Sequence, residues 1–542
     1  MNTATSIKDI GIANLADYFA SGWNTRNIGG FIFDEQFQIE GIPLSWFLKR
    51  LLSLHTIPPQ LQVKPKIEKM LNGESVTYTA KDRLRTKVLT KLFFTNENIK
   101  LMGGRKIRTT QPSSRHPLLF LTYLEHLNQQ TGEIYRLQKL LHHLQEKNKQ
   151  EPLVIGASPQ SESFIQFLRQ KLKKRPTFPL LYDYITTKET ERAKIISQNL
   201  QDHWEKLEEE KKIQLFRSAE QWNCLRAVFD FYVSPDFLYF LILYFEIWKS
   251  ILKDSGVKVA VITSQNSIFE RCLNAAASRL GITTVLLQHG AAMGSINPEL
   301  LEPYKIAVFS QKYQKNLCQQ GVAAENISIV GPLIFDEIYL FIQREKRPPT
   351  ANILLLTVPF IEQGIFSQEE HFSYIQKILQ QSASIPNNNI TIKLHPREKY
   401  FKKYERLAQQ FGRKNISVIQ DNQRKVLYGL MDRSDVIINF SSTTAVEAMI
   451  LDKPLITITF PHFQNPFSEI IKSSQASVEV EIKDDLAQAI HRVLDDKGLQ
   501  WSLRQYRHQF VKEYCGRIDG KATERAALLL QRLASASSKK ES

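Results

Sequence analysis

Ser441, Ser442, Thr443 and Thr444 set four hydroxyls in a row, between a β-branched run at 436–439 and a helix-forming run at 445–451. A hydroxyl-rich turn entering a helix suits an anion. The first helical N–H groups lack partners within the helix, the helix dipole favours negative charge there, and the hydroxyls add donors. The chemistry this supports is the seating of a phosphate. The plain alternative is a helix cap supplied by Ser442 or Thr443. A second candidate is Gln288-His289-Gly290, where a strand at 282–287 ends. Ligands of open α/β sheets bind beyond the carboxyl ends of strands, and imidazole titrates near neutral pH. His289 is read as a group for chemistry, against the alternative of a histidine satisfied by its own loop. A third strand, 390–394, carries Lys393 and runs into His395-Pro396-Arg397.

Strands and crossovers must position these residues. The clearest unit is a strand at 257–263, a helix at 267–280 and the strand at 282–287. Short β-branched runs joined by helical crossovers predict a parallel sheet buried on both faces. Further strands are expected at 118–121, where the 119–127 pattern also suits a helix, and at 153–157, 304–309 and 327–330, the last ending at Gly331-Pro332. Helices are expected at 134–147, 161–174, 189–217 and 236–253. Residues 344–352, REKRPPTAN, read as a polar, proline-bearing linker. The α/β pattern then restarts, with strands at 353–358, 390–394, 416–419, 436–439 and 455–460 and a last one at 478–480. The expected fold is α/β: two Rossmann-like domains facing a cleft, at 101–343 and 353–505, after a mainly helical extension at 1–100. Helices at 506–534 and a disordered tail at 535–542 close the chain. Within the extension, 42–54 is predicted as an amphipathic helix and 81–94 as a second helix.

The chain has 542 residues, 42% apolar and 23% charged, with a net charge of +16 and pI near 9.4. That suits an anionic partner. No zinc-finger spacing or aromatic RNA-binding motif accompanies the charge, so nucleic acid is not expected. Cys224, Cys272, Cys318 and Cys515 lie far apart without metal-ligand spacing. Free thiols, no bound metal and a cytoplasmic setting are the expectation, and the first residues lack a signal-peptide pattern. His142 and His143 are adjacent on a helix and point apart, so they do not suggest a shared metal. The apolar run at 237–245 is too short to span a bilayer. It reads as a buried helix, or alternatively as an aromatic face at a membrane interface.

Gln288-His289-Gly290, Gly331-Pro332, Lys393-Leu394-His395-Pro396, Ser434-Asp435, Ser441-Ser442, Glu447-Ala448 and Lys453-Pro454 occur in an ordered set. Together they resemble the GT-B superfamily, chiefly bacterial surface and capsule polysaccharide transferases and CDP-glycerol glycerophosphotransferases. UDP-N-acetylglucosamine 2-epimerases are more distantly similar. The turn departs from both. It has Ser-Ser-Thr-Thr where the epimerases carry a Ser-Gly-Gly type loop, and Asn439-Phe440-Ser441-Ser442 in place of Asp-Tyr-Ser-Ser.

The resemblance implies a nucleotide sugar as substrate and no cofactor. Donor binding then falls to Lys393, Pro396, Arg397, Ser441, Ser442, Thr443, Thr444 and Glu447. His289 and His395 are the catalytic candidates, and Gln288, Gly290 and Gly331 line the cleft. Glu447 is implied as a ribose ligand, and its spacing from Thr443 and Thr444 puts it on their helix face; a capping-box glutamate is the alternative. The expected activity is a metal-independent glycosyltransferase acting on a cell-surface glycan or lipid-linked acceptor. The alternatives are a sugar-nucleotide epimerase of the UDP-N-acetylglucosamine 2-epimerase type and a non-catalytic GT-B-like binding protein. The basic charge and the 237–248 face would suit peripheral contact with the inner membrane leaflet.

Overall fold

The computed structural model describes residues 22–48, 61, 63–102, 116–127, 134, 137–147, 151–158, 178–216, 218–290, 299–342, 352–386, 388–411, 415–440, 442–460 and 466–538. Two six-stranded sheets carry the fold. The first comprises β1 (Leu118–Tyr123), β2 (Leu153–Ala157), β3 (Val259–Ile262), β4 (Thr283–Leu287), β5 (Tyr304–Val308) and β6 (Ile327–Ile329). Its order is β2-β1-β3-β4-β5-β6, and the β1–β2, β1–β3, β3–β4 and β5–β6 pairs are parallel. The second comprises β7 (Asn352–Leu356), β8 (Asn389–Leu394), β9 (Ile416–Gln420), β10 (Val436–Asn439), β11 (Leu455–Thr459) and β12 (Val478–Glu481). Its order is β9-β8-β7-β10-β11-β12, all parallel. Both are doubly wound orders with a switch point, at β1/β3 and at β7/β10. The chain therefore has two Rossmann-like sheets. Buried Ile, Val and Leu on β7, β8, β10 and β11 form the core of the second sheet.

The chain divides into two compact units elsewhere than at 344–352. One is Met1–Leu287 with Glu299–Lys305 and Leu530–Ser542; the other is Gln288–Pro298 with Ile306–Leu529. The latter takes in β5 from Ile306, β6 and the start of the chain's last helix, which is fastened beside β6. Asp336 accepts the backbone N–H groups of Ala522 and Thr523 at 3.0 and 2.8 Å, and Arg525 Nε donates to the Val330 carbonyl at 2.7 Å. The expected linker lies outside the described residues up to Asn352, which opens β7. The final helix, Ala522–Ser538, runs four residues into the stretch expected to be a disordered tail.

Among the described residues, the longest helices lying wholly in the first unit are α1 (Ala80–Met102), α2 (Thr187–Lys206), α3 (Ala219–Tyr232), α4 (Pro235–Asp254) and α5 (Ile268–Arg279). The 189–217 helix of the sequence reading is two helices, α2 and Glu209–Gln214. The described residues from Trp23 to Phe37 pack against helices of the first unit. Trp23 meets Phe229 edge-on at 4.8 Å and stacks on Phe216 at 6.4 Å, and Phe33 and Phe37 each meet Trp204 at 6.1 Å. The 42–54 helix is also corrected: Ile42–Pro43 pairs with Gln38–Ile39 as a hairpin, and helix covers Leu44–Leu48. Residues 49–60 lie outside the described set, as does the helix expected at 161–174.

Helix α4 settles the reading of the 237–248 run. Phe237, Leu238, Phe240 to Phe245, Ile247 and Trp248 are buried, with α2 and α5 packed along the helix. The run is part of the unit's core, as the buried-helix reading expected, and the alternative of an aromatic face at a membrane does not hold for it. Among the described residues, no single helix is long and apolar enough to cross a membrane.

Candidate functional site

The second sheet brings the loops after β7, β8 and β10 side by side, through the registers Lys393↔Leu356 and Ile438↔Leu355. Three expected groups of site residues thereby fall on one sheet edge: Lys393 to Arg397 after β8, Ser442 to Thr444 after β10, and Glu447 on the following helix. Ser441 lies outside the described residues.

The loop after β8 is held by a carboxylate that the sequence reading missed. Glu398 accepts the His395 backbone N–H at 2.7 Å and the Tyr404 hydroxyl at 2.6 Å, and it is bonded to the Thr357 hydroxyl. His371 Nε2 lies 2.6 Å from the same Tyr404 oxygen. Tyr404 donates to Glu398, so His371 donates to Tyr404 through Nε2–H. Thr357 follows β7, His371 lies on α6 (Gln368–Ala383), and Tyr404 lies on α7 (Phe401–Gln410). The available signal was spacing: a carboxylate three residues after the loop's first N–H forms the reciprocal half of a capping box.

Burial raises the Glu398 carboxyl to about 6, against the lowering effect of its bonds from Thr357, Tyr404 and the His395 N–H. Burial pushes His371 down to about 4, with Lys403 adding to it. His395 is likewise pushed down to about 4, by burial first and then by Arg397 and Lys393. It is therefore neutral near pH 7. Its Nδ1 accepts the Arg397 backbone N–H at 3.1 Å, which assigns the remaining proton to Nε2. The loop thus offers a neutral, half-buried N–H donor beside exposed Pro396 and Arg397.

Lys393 is turned inward. Its ammonium donates to the carbonyls of Leu394 and Asp421 at 2.9 and 2.6 Å, and burial lowers its pKa. It ties the end of β8 to the end of β9.

The hydroxyl turn does not act as a simple cap. Thr443 precedes α9 (Thr444–Ile450) in a helical conformation and makes no side-chain capping bond. The Ser442 and Thr444 hydroxyls bond to each other. Glu447 is neither a capping-box partner nor aimed outward. Its carboxylate is buried and accepts from the Tyr428 hydroxyl at 3.2 Å and from Arg424 Nη1 at 3.4 Å. Both partners lie on α8 (Arg424–Arg433), and Arg424 also donates to the Ile334 carbonyl at 2.5 Å. Burial raises the Glu447 pKa, and the Arg424 charge and the Tyr428 bond oppose that rise.

Gln288, His289 and Gly290 follow β4 of the other sheet. The Gln288 side chain accepts the Phe309 N–H at 2.8 Å and donates to the Gly290 carbonyl at 2.9 Å, so it braces the turn. His289 is half-buried in that turn. Gly331 has φ +87°, and a Cβ there would meet Arg525 Nη2 at 2.7 Å. Its smallness admits the final helix.

The family model described as UDP-N-acetylglucosamine 2-epimerase matches residues 306–530. This match runs from β5 into the final helix and includes the His395 loop, the hydroxyl turn and Glu447. It overturns the expectation of a glycosyltransferase and favours the epimerase alternative. No curated protein matches the chain. Solved structures similar to it include a Methanocaldococcus jannaschii UDP-GlcNAc 2-epimerase in complex with UDP-GlcNAc and UDP. It is 17% identical with TM-score 0.42, over 77% of this chain and 99% of that one. A Neisseria meningitidis UDP-GlcNAc 2-epimerase bound to UDP-GlcNAc is 13% identical, with TM-score 0.40 over 77% and 99%. Acinetobacter baumannii MurG is 12% identical, with TM-score 0.41 over 77% and 99%.

Proposed function

We propose that this protein is a nucleotide-sugar epimerase of the UDP-N-acetylglucosamine 2-epimerase type. The observation that carries the reading is the family match over residues 306–530. The local chemistry supports it. The His395 Nε2–H, the exposed Arg397 and the hydroxyls of Ser442 and Thr443 are donors suited to a diphosphate, on adjoining loops of one sheet edge. Such donors act on charge that develops as a sugar–phosphate bond weakens. In this reading Glu398 and Lys393 are positioning residues, and Glu447 keeps α8 and α9 together beneath the turn.

Epimerisation at the sugar's second carbon breaks a C–H bond and remakes it on the other face, with hydrogen drawn from solvent. The test is to hold the protein with UDP-N-acetylglucosamine in heavy water, with no acceptor present, and follow the sugar by proton NMR. Deuterium at the second carbon and the appearance of the second epimer are expected. An unchanged sugar, in a preparation that binds UDP by calorimetry, sinks the proposal.

A further inference from the structure

Helix α1 is inside out. Asp82, Thr86, Thr90, Phe93, Glu97 and Lys100 recur every three or four residues and face the interior. The polar members of that stripe are satisfied there. Asp82 accepts from Lys66 Nζ and from the Thr79 N–H, each at 2.9 Å, and the Thr86 and Thr90 hydroxyls each donate to the carbonyl four residues back at 2.9 Å. Glu97 and Lys100 pair at 2.8 Å with both side chains fully buried, and the Tyr244 hydroxyl bonds to Glu97. Phe93 packs on Phe231 and Phe237 at 5.7 and 5.4 Å.

The opposite face carries the aliphatic residues. Leu84, Val88 and Leu92 are 63%, 51% and 62% exposed. They stand at i, i+4 and i+8, a straight apolar line of about 12 Å along the helix. Lys81, Arg83, Lys87 and Lys91 are exposed among them. The helix's own acidic residues, Asp82 and Glu97, are on the buried side; Asp236 of α4, which lies near Lys91, is half-buried. A single exposed leucine is ordinary, but three in line on a helix that buries its polar residues call for a covering surface.

We propose that this face of α1 docks on an anionic phospholipid surface, with Leu84, Val88 and Leu92 entering the headgroup layer and the four cations at the lipid phosphates. Charge decides the occupant. A second copy of the chain across a two-fold axis would set the Lys87 and Lys91 row against itself. An anionic bilayer offers opposite charge to the cations and an apolar layer to the aliphatic line, the combination that holds amphipathic helices in an interface. The net charge of +16 adds long-range attraction.

The test is sedimentation of the full chain with phosphatidylcholine vesicles, with and without about one third phosphatidylglycerol. Binding to the anionic vesicles alone is expected. The triple variant Leu84→Ser, Val88→Ser, Leu92→Ser keeps the charge and should weaken binding about tenfold or more, with circular dichroism unchanged. Should that variant fold poorly, Val88→Trp gives an independent reading: its emission should shift to the blue on anionic vesicles. No binding, equal binding by the serine variant, or an unshifted tryptophan would each overturn the proposal. So would a wild-type dimer in sedimentation velocity that the serine variant abolishes.

Discussion

Glu398 accepts the backbone N–H of His395 at 2.7 Å, so a buried carboxylate fixes the turn from which the candidate imidazole projects. The same carboxylate binds Thr357 and Tyr404, and through Tyr404 it meets His371. One side chain joins β7, the β8 loop, α6 and α7. The loop geometry is therefore decided behind the sheet edge rather than at it.

Removing that carboxylate takes the acceptor of the buried Tyr404 hydroxyl, and leaves the His395 N–H with Thr357 Oγ1 at 3.1 Å and the Thr357 hydroxyl with the Lys393 carbonyl at 3.4 Å. Glu398→Ala is expected to cost about 2–4 kcal/mol of stability, measured by urea unfolding. Glu398→Gln keeps the shape and one acceptor, and should cost less. Equal stability of Glu398→Ala and wild type would remove the anchoring role.

His371 makes folding sensitive to acid. Its pKa is about 4 in the folded chain against an ordinary 6.5. The unfolded chain therefore takes up the proton first, and stability falls as pH drops from 6.5 towards 4. One pKa unit is worth about 1.4 kcal/mol, so the loss over that window is at most about 3.5 kcal/mol. Glu398, raised from 4.5 to about 6, acts in the opposite sense between those values. His371→Gln should flatten the acid limb of a stability–pH curve. An unchanged slope would mean that His371 is not the group responsible.

His395 should matter for binding before chemistry. As a neutral donor to a phosphate oxygen, it is expected to lose about tenfold in UDP affinity as His395→Ala. His395→Gln retains an N–H and should recover part of that loss. Isothermal calorimetry separates the three proteins, and equal affinity in all would place the diphosphate elsewhere.

Gly331 tests the seat of the final helix. With φ +87° and Arg525 Nη2 at 2.7 Å from a would-be Cβ, Gly331→Ala is expected to destabilise by about 1–3 kcal/mol. Thermal melting is the readout. A melting temperature equal to wild type would show that the Arg525 side chain simply moves aside.

The sequence by itself determined the strands and the loops that follow them. Runs such as 390–394 and 436–439 announce strands because apolar, β-branched stretches bounded by turns are a local signal, readable without partners. The loop after each strand is then known too, which is why His395, Ser442 and Thr443 could be placed on loops that follow strands. The direction of a side chain in those loops is not local. Lys393 turns inward because β9 presents the Asp421 carbonyl 28 residues away, and Glu447 turns towards Arg424, 23 residues away. Glu398 carried only its three-residue spacing from His395 as a signal until Thr357 and Tyr404 folded around it. Helix α1 shows the limit most plainly. The periodicity of its sequence predicts helix, yet only the packing of α3 and α4 decided that the polar stripe goes in and Leu84, Val88 and Leu92 come out. The choice between transfer and epimerisation was closed to the sequence for a related reason. Both reactions want donors around a departing phosphate, and the residues that announce themselves are the ones around the phosphate.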